Sequence, residues 1–235
     1  KPWLAKAKAD PELCGSGCHE FEGPKPGRQY LITADPAGFG STGDKSALTV
    51  WDAVDWKEVA FWEDREPPDR FAQRLRSIQI RYNQALLAVE SNATACIAIL
   101  KDQNVRNLLW TSRNHPGWYA TQKRIQESEA RLVQMLRQED IIIQSRGTLH
   151  QLLNYDGSTK KRVKGEDGIL HHFDRARTAV MAADILSKRN FHTPAKEEQN
   201  TYTSGQVTIR QLDDHRRNKQ KQATSPFRPA SINWR

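Results

Sequence analysis

Three acidic residues stand at the ends of elements that are otherwise apolar. Asp35 closes the apolar run 30–34. Glu90 closes a second run, 86–89, and Asp174 opens a helical segment. A carboxylate at the end of a core strand costs free energy unless a hydrogen-bond donor or a cation balances it. Taken singly, each acid is explained by a turn, a strand end or a helix N-cap. Taken together, they predict a metal site assembled from distant parts of the chain.

The apolar pattern predicts the elements that must position these acids. Three strands come first, then a helix, a fourth strand and further helices. The short connection between the second and third strands indicates an antiparallel meander. The predicted strands are 30–35, 47–52, 58–62, 85–90 and 105–110. The predicted helices are 69–83, 92–103 with Asn92 as N-cap, 119–138 and 174–186.

This order predicts an α/β fold with a mixed β-sheet, in which three antiparallel strands are followed by parallel strands and helices cover both faces. The strands that carry Asp35 and Glu90 become neighbours if the crossover is right-handed. Both acids would then end at one edge of the sheet, where open α/β sheets place their sites. We predict a folded domain at 29–189, an N-terminal linker or arm at 1–28 and a flexible basic tail at 190–235.

The composition points to a polyanionic partner. The 235 residues carry a formal net charge of +8, and the isoelectric point is near 9.5. This balance favours nucleic acid first and an acidic membrane second. No apolar run is long enough to span a bilayer, and no signal-peptide core is visible at the N-terminus. Because residue 1 is Lys rather than Met, we expect a fragment or a processed product.

The cysteines do not form a disulfide framework. There are three, Cys14, Cys18 and Cys96, which favours a reducing compartment. Cys14, Cys18 and His19 have a metal-like spacing. A structural zinc site needs four ligands, usually as two spaced pairs, and no second pair stands in this region. An ordinary glycine-rich loop is therefore the favoured interpretation.

Three motifs together resemble a known family. They are DPAGFGSTGDKSA after the first strand, AVESN at a later strand end, and HHFDRARTAVMAADI at the last helix. In this order and spacing they resemble the RNase H-like nuclease domain of tailed-bacteriophage terminase large subunits, the DNA-packaging motors that cut concatemeric viral DNA. The resemblance covers about residues 28–188. It implies a two-metal endonuclease that acts on double-stranded DNA.

The resemblance assigns the three acids to a site for two divalent cations, Mg²⁺ or Mn²⁺. It implies that Asp35 bridges the metals, that Glu90 binds one directly or through water, and that Asp174 completes the second. Two cations about 4 Å apart suit phosphodiester cleavage, because they stabilise both the attacking and the leaving oxygen. Such cations prefer hard oxygen ligands to thiolates.

Three further residues have supporting roles by the same resemblance. Asp44 follows the glycine-rich turn, where relatives often carry an acid near the metals, although a solvated turn residue would look the same. His171 stands three residues before Asp174, so both can face one side at a helix start, where histidine can relay protons or bind a metal. Many relatives have two adjacent acids where this chain has Phe173 and Asp174, which leaves Asp167 as a substitute ligand.

A basic run precedes the third motif. Lys160, Lys161, Arg162 and Lys164 lie on a predicted surface hairpin. A solvated charge run is the alternative, but nearby cations would offset the repulsion between the acidic site and DNA phosphates. We therefore predict contact with the DNA backbone. No ATP site is expected, because no Gly-Lys-Ser/Thr motif follows a strand.

The leading interpretation is a metal-dependent endonuclease that cuts concatemeric double-stranded viral DNA during genome packaging. By resemblance, its partners are duplex DNA, an ATPase domain outside this sequence, a portal protein and a small terminase subunit, with no membrane partner. It would act in the host cytoplasm and be absent from the mature virion. The alternatives are a non-catalytic DNA-binding or docking module, and another RNase H-like nuclease such as a resolvase or transposase. A requirement for Mg²⁺ or Mn²⁺ separates the enzymes from the docking module.

Overall fold

A five-stranded sheet forms the centre of the computed structural model, which describes residues 7–15, 17–37, 45–155, 162–164 and 170–191. All of these residues belong to the unit Lys1–Pro194. The strands are β1 (His19–Glu20), β2 (Tyr30–Asp35), β3 (Ser46–Asp52), β4 (Lys57–Asp64), β5 (Leu86–Val89), β6 (Trp110–Ser112), β7 (His115–Pro116), β8 (Arg162–Lys164) and β9 (Leu170–His172). The helices are α1 (Pro68–Arg81), α2 (Thr94–Asp102), α3 (Gln122–Gln138), α4 (Arg146–Asn154) and α5 (Asp174–Leu186).

The strand order in the sheet is β1-β4-β3-β2-β5. Strands β1 to β4 pair antiparallel, and β5 joins the far side of β2 in parallel. The chain between β2 and β5, which includes β3, β4 and α1, supplies the crossover that a parallel pair requires. The predicted mixed α/β sheet is therefore confirmed, with β2 in the position between the antiparallel and the parallel pairs.

Helices cover both faces of this sheet, as predicted. One apolar cluster joins α1 and α2 to Ile32 and Val50. The other joins α3, α4 and α5 to Leu31 and Trp51. Successive strand residues point to opposite faces, so β2 and β3 contribute to both clusters. This burial on two sides explains why β2 reads as a continuous apolar run.

Helix α5 lies in the interior rather than on the surface. From Asp174 to Leu186 its residues are buried with the exception of Arg177, which is partly buried. Alanines at four positions let the helix approach the sheet closely: Ala176, Ala179, Ala182 and Ala183. A helix that is buried on all sides is a central element. Its polar first turn is therefore held inside the protein.

Two local predictions were wrong. Helix α2 begins at Thr94 after Ala93, and no side chain caps it, so Asn92 is not its N-cap. The predicted strand 105–110 is reduced to a bridge between Leu108 and Leu87. Its last residue, Trp110, begins the hairpin β6–β7 instead. An apolar run can pack as irregular chain when only part of it reaches a neighbouring strand.

The segment interpreted as a linker or arm is part of the fold over its described residues. His19 and Glu20 form β1, which pairs with Phe61 and Ala60 of β4, and Cys18 is fully buried. Two residues are too short to show an alternating pattern in the sequence, so the strand was missed. From residue 192 onward, the predicted basic tail lies outside the described residues, and the domain boundary at 189 stays a prediction.

Candidate metal centre

Asp35 and Glu90 end neighbouring parallel strands. Residues 31–34 of β2 pair with residues 86–89 of β5, so Ala34 is opposite Val89. The backbone N–H of Glu90 then donates to the carbonyl oxygen of Ala34 at 3.0 Å. The two acids therefore lie side by side at one edge of the sheet, as the right-handed crossover predicts.

Both acids also lie on the same face of the sheet. Leu31 and Ala88 belong to the apolar cluster that contains α5. Since strand side chains alternate between faces, Asp35 falls on the side of Leu31 and Glu90 on the side of Ala88. The two carboxylates are thus directed to the face that α5 covers. They are almost completely buried, with 0% and 3% exposure.

The first turn of α5 is fixed to this face at the level of the two acids. Thr178 Oγ1 lies 2.7 Å from Thr49 Oγ1 on β3. Arg175 Nε lies 3.5 Å from Glu63 Oε2. The sheet register aligns Glu63 with Ala47 and Ala47 with Asp35, so the start of α5 lies beside the strand end that carries Asp35.

Asp174 is the first residue of α5 and is 1% exposed. Its alternative role as helix N-cap is wrong, because Phe173 occupies that position. The first free N–H groups of the helix, those of Arg175 and Ala176, donate to Gln151 Oε1 at 3.0 and 3.2 Å. Gln151 on α4 therefore caps α5 and fixes the position of Asp174.

Arg177 brings a positive charge to the same site. Its Nη2 lies 3.5 Å from Glu90 Oε1, and the two side chains are 12% and 4% exposed. Burial acts to lower the pKa of Arg177, but the negative charges of Glu90 and Asp35 contribute to a net rise above its usual value. Sequence analysis missed this residue. The available signal was its spacing from Asp174, since residues three apart share a helix face.

A tyrosine supports the arginine from the opposite side. Arg177 Nη1 lies 3.5 Å from the hydroxyl oxygen of Tyr155, and that hydroxyl donates to Glu129 Oε1 at 2.7 Å. Burial raises the pKa of Tyr155 to about 12. The ring also packs edge-on against Phe173, with centroids 5.5 Å apart. The guanidinium therefore lies between an acidic strand end and a rigid phenol.

The described part of the chain contains no group of three or more His, Cys, Asp or Glu side chains arranged to hold a metal ion. Asp35, Glu90 and Asp174 nevertheless each supply buried carboxylate oxygens, the donor type that hard divalent cations prefer. In the N-terminal loop, Cys14 Sγ donates to the carbonyl oxygen of Cys18 at 2.9 Å. This contact is that of a tight turn, and the turn forms no zinc ligand group among the described residues.

The structure does not describe the side chains of the other predicted site residues. Asp44, Asp167, Lys160 and Lys161 lie outside the described residues, and Arg162 and Lys164 lie on β8, for which only the backbone is described. His171 lies on β9, whose pairing with β8 gives the expected hairpin. It precedes α5, so the prediction that it shares a helix face with Asp174 was wrong. Its chemical role stays a prediction.

The fold is shared with nuclease domains of phage large terminases. The crystal structure of the large terminase nuclease from thermophilic phage G20c with bound magnesium gives a TM-score of 0.57 at 16% identity, covering 77% of this chain and 94% of that chain. The nuclease domain of the Thermus phage P74-26 large terminase gives 0.54 at 16% identity, covering 77% and 91%. The G20c nuclease is also known with bound cobalt and with bound zinc.

These similarities establish the fold class, an RNase H-like mixed sheet of the large terminase nuclease type. At 16% identity they do not extend to chemistry, which depends on this chain's own residues. No protein-family model matches the sequence, and no curated protein matches it. Among the described helices, none has the length and apolar character needed to cross a bilayer.

Proposed function

We propose that this chain is the nuclease domain of a phage large terminase subunit, an endonuclease dependent on Mg²⁺ or Mn²⁺. It cuts concatemeric double-stranded viral DNA during genome packaging. The observation that carries the proposal is the juxtaposition of Asp35 and Glu90 at adjacent parallel strand ends, with the start of α5 packed over the same face. The shared fold with terminase nucleases supports it.

Asp35, Glu90 and Asp174 are proposed as the residues that would hold two divalent cations, Mg²⁺ or Mn²⁺. When bound, such cations stabilise the charge that develops on the scissile phosphate and activate the attacking water. Asp44, His171 and Asp167 are proposed as supporting residues. The protein contributes rigidity, because buried strand ends and a capped helix keep the carboxylates in place without reorganisation.

The sheet edge alone would repel DNA. The basic residues 160–164 and the net charge of +8 are proposed to offset that repulsion by contacting phosphates, without reading base sequence. The remaining partners follow from the proposed role: an ATPase domain, a portal protein and a small terminase subunit, in the cytoplasm of the host. The proposed domain limits are 29–189.

A second candidate function is a non-catalytic DNA-binding or docking module. Arg177 favours this candidate, because it lies beside Glu90 as a counter-charge. A buried acid with a purely structural role also needs such a counter-charge. In that case the acids only stabilise the fold. The docking module would bind DNA equally well with and without divalent cations.

A plasmid-nicking assay separates the two. The protein is incubated with supercoiled plasmid in EDTA, in Mg²⁺ and in Mn²⁺, beside Asp35→Asn. The proposed nuclease nicks DNA only with metal and only with Asp35 intact. Absence of nicking in either metal, with DNA binding unchanged by EDTA, would favour the docking module.

A further inference from the structure

Arg177 places a positive charge beside Glu90, one of the proposed metal ligands. We propose that Arg177 is a resident counter-cation that competes with the divalent cation for Glu90 and sets the affinity of the site. This inference rests on the proposed function. It assigns to Arg177 a role that a passive structural arginine does not have.

The contact is a buried one. Arg177 Nη2 and Glu90 Oε1 are 3.5 Å apart, and neither side chain exposes more than 12% of its surface. A guanidinium keeps its proton at any ordinary pH, so the positive charge at Glu90 is permanent. In a buried setting such a charge interacts far more strongly with its neighbours than it does in water.

Metal binding at Glu90 conflicts with this contact. A divalent cation on Glu90 would face the guanidinium as a like charge, and the two would share one carboxylate. The guanidinium opposes binding of the cation by like-charge repulsion, and this repulsion decreases if the guanidinium moves away from Glu90. The cost of that movement reduces the affinity of the metal, in the way that a competing ligand would.

The surroundings provide an alternative partner for the displaced guanidinium. Nη1 of Arg177 already lies near the Tyr155 hydroxyl oxygen at 3.5 Å, with Glu129 behind it. A small rotation towards Tyr155 and Glu129 separates the guanidinium from Glu90 while a polar partner remains beside it. The neighbouring Arg175 differs, because its side chain contacts Asp10, Ser145 and Glu63.

The test measures Mn²⁺ binding by calorimetry at pH 8, without DNA. Arg177→Met removes the charge and keeps much of the apolar stem. We expect Mn²⁺ to bind at least about tenfold more tightly, because one buried like charge is gone. We also expect the metal-free variant to melt at a lower temperature than wild type, because Glu90 loses the buried ion pair with Arg177. The melting temperature should therefore rise more on adding Mn²⁺.

Arg124→Met is the matched control. Arg124 forms another ion pair between a helix arginine and a buried acid, with Nη2 2.7 Å from Asp184 Oδ2. Asp184 lies ten residues beyond Asp174 on α5, about 15 Å along the helix. This variant should lose stability and leave Mn²⁺ affinity unchanged. If Arg177→Met does not fold, Arg177→Lys replaces it, with an expected affinity between those of wild type and Arg177→Met.

Three results overturn the inference in distinguishable ways. If wild type binds Mn²⁺ and the Arg177 variants bind it no more tightly, Arg177 does not compete and the proposed nuclease stands. If wild type binds no Mn²⁺, the inference fails together with the proposed function. Tighter binding in the Arg124 control as well would attribute the effect to loss of net charge, and would also overturn it.

Discussion

Asp35 and Glu90 are held at the same level of the sheet, because the N–H of Glu90 donates to the carbonyl oxygen that immediately precedes Asp35 at 3.0 Å. Two buried like charges at adjacent strand ends are unfavourable without a counter-charge. Arg177 provides part of that counter-charge, with Nη2 3.5 Å from Glu90 Oε1. The predictions begin with the two acids.

Asp35→Asn should lower metal-dependent nicking by at least about a hundredfold, because it removes a negative charge that would hold the divalent cations. Binding to DNA and the fold should persist, and the metal-free protein should be no less stable. Glu90→Gln and Asp174→Asn should have similar effects that do not add, since the residues form one site. Plasmid nicking in Mn²⁺ and thermal unfolding in EDTA measure both properties.

Asp52→Asn provides the control for this substitution. Asp52 is a buried acid on β3 that pairs with Arg28 and lies at the opposite end of the sheet, level with Tyr30. Its replacement should lower stability and leave nicking by the folded fraction intact. If Asp35→Asn cuts plasmid at the parental rate in Mn²⁺, the proposed metal site is wrong.

Gln151→Leu should lower both stability and nicking, although Gln151 is not a proposed metal ligand. The variant removes the oxygen that accepts from the N–H groups of Arg175 and Ala176, so the start of α5 loses its cap. We expect a decrease of about 1–2 kcal/mol in the free energy of unfolding. Nicking should fall as Asp174 loses its fixed position.

Asn154→Ala is the comparison for Gln151→Leu. Asn154 is exposed on the same helix, and its side-chain amide donates to the carbonyl oxygen of His150 at 2.9 Å, within the helix itself. The effect of this variant on denaturant unfolding should be within about 0.5 kcal/mol. Equal stability of Gln151→Leu and wild type would show that the cap is not needed.

Gly117→Ala should disrupt the edge of the sheet beside Glu90. Gly117 has a φ of +89°, and an added Cβ would lie 2.5 Å from the carbonyl oxygen of Val89. Both the backbone conformation and the clash oppose the substitution. We expect the free energy of unfolding to fall by several kcal/mol, with reduced nicking in the fraction that folds. Gly15→Ala, where nothing lies within 4 Å of the added Cβ, should be almost neutral in the same unfolding experiment.

Glu58 should make stability depend on pH. Burial raises the pKa of Glu58 to about 7, against hydrogen bonds from the Ser145 N–H and the Thr148 hydroxyl, which lower it. The folded protein therefore holds this proton between about pH 4.5 and 7, where the unfolded chain releases it. The stabilising contribution is complete below the lower value and is lost as the pH rises to 7 and above.

Glu58→Gln removes this dependence. Raising the pH from 4.5 to 8 should increase the free energy of unfolding of the variant relative to that of wild type by up to about 3 kcal/mol. Denaturant unfolding at both pH values measures this difference. Glu22→Gln is the contrasting variant. Burial acts to raise the pKa of Glu22, but Lys57 and Lys25 together outweigh burial and leave the pKa lowered. The stabilisation from Glu22 is therefore lost only towards acid pH. Equal pH slopes for wild type and Glu58→Gln would contradict the assignment.

Replacing Lys160 and Lys161 by Glu should weaken DNA binding for all sequences alike. The dependence of binding on salt should shrink by roughly one unit for each phosphate that the protein no longer neutralises. The control places the same charge change on the exposed face of α3, at Lys123 and Arg137. Fluorescence anisotropy over a range of salt concentrations measures DNA binding by both variants. If both variants bind DNA equally weakly, the change in net charge explains the effect and a local contact at Lys160 and Lys161 is excluded.

Much of the architecture could be predicted, because long apolar runs carry the signal. The β2 run, the β5 run and the helix that begins at Asp174 are each recognisable from their residues, and the handedness of crossovers places Asp35 beside Glu90. Burial on both faces makes such runs continuous and easy to detect. The edge of the sheet that carries the candidate site was therefore predictable.

The remaining features depend on tertiary contacts that no local pattern encodes. Strand β1 has two polar residues, and its pairing with β4 depends on the path of the N-terminal segment along the edge of the sheet. The contact between Arg177 and Glu90 joins a late helix to a middle strand. The spacing of Arg177 from Asp174 indicates a shared face, but nothing in the sequence identifies the acid that this face meets.

The central position of α5 has a consequence for folding kinetics. Its partners on β3 and at the end of β5 come from the early and middle parts of the chain, so docking this helix closes long loops. Closing long loops is entropically costly and slow. A chain that has formed only its meander and its first helices has Asp35 but not Asp174 in place. In the proposed nuclease, all three acids are therefore in place only once α5 has packed against the sheet.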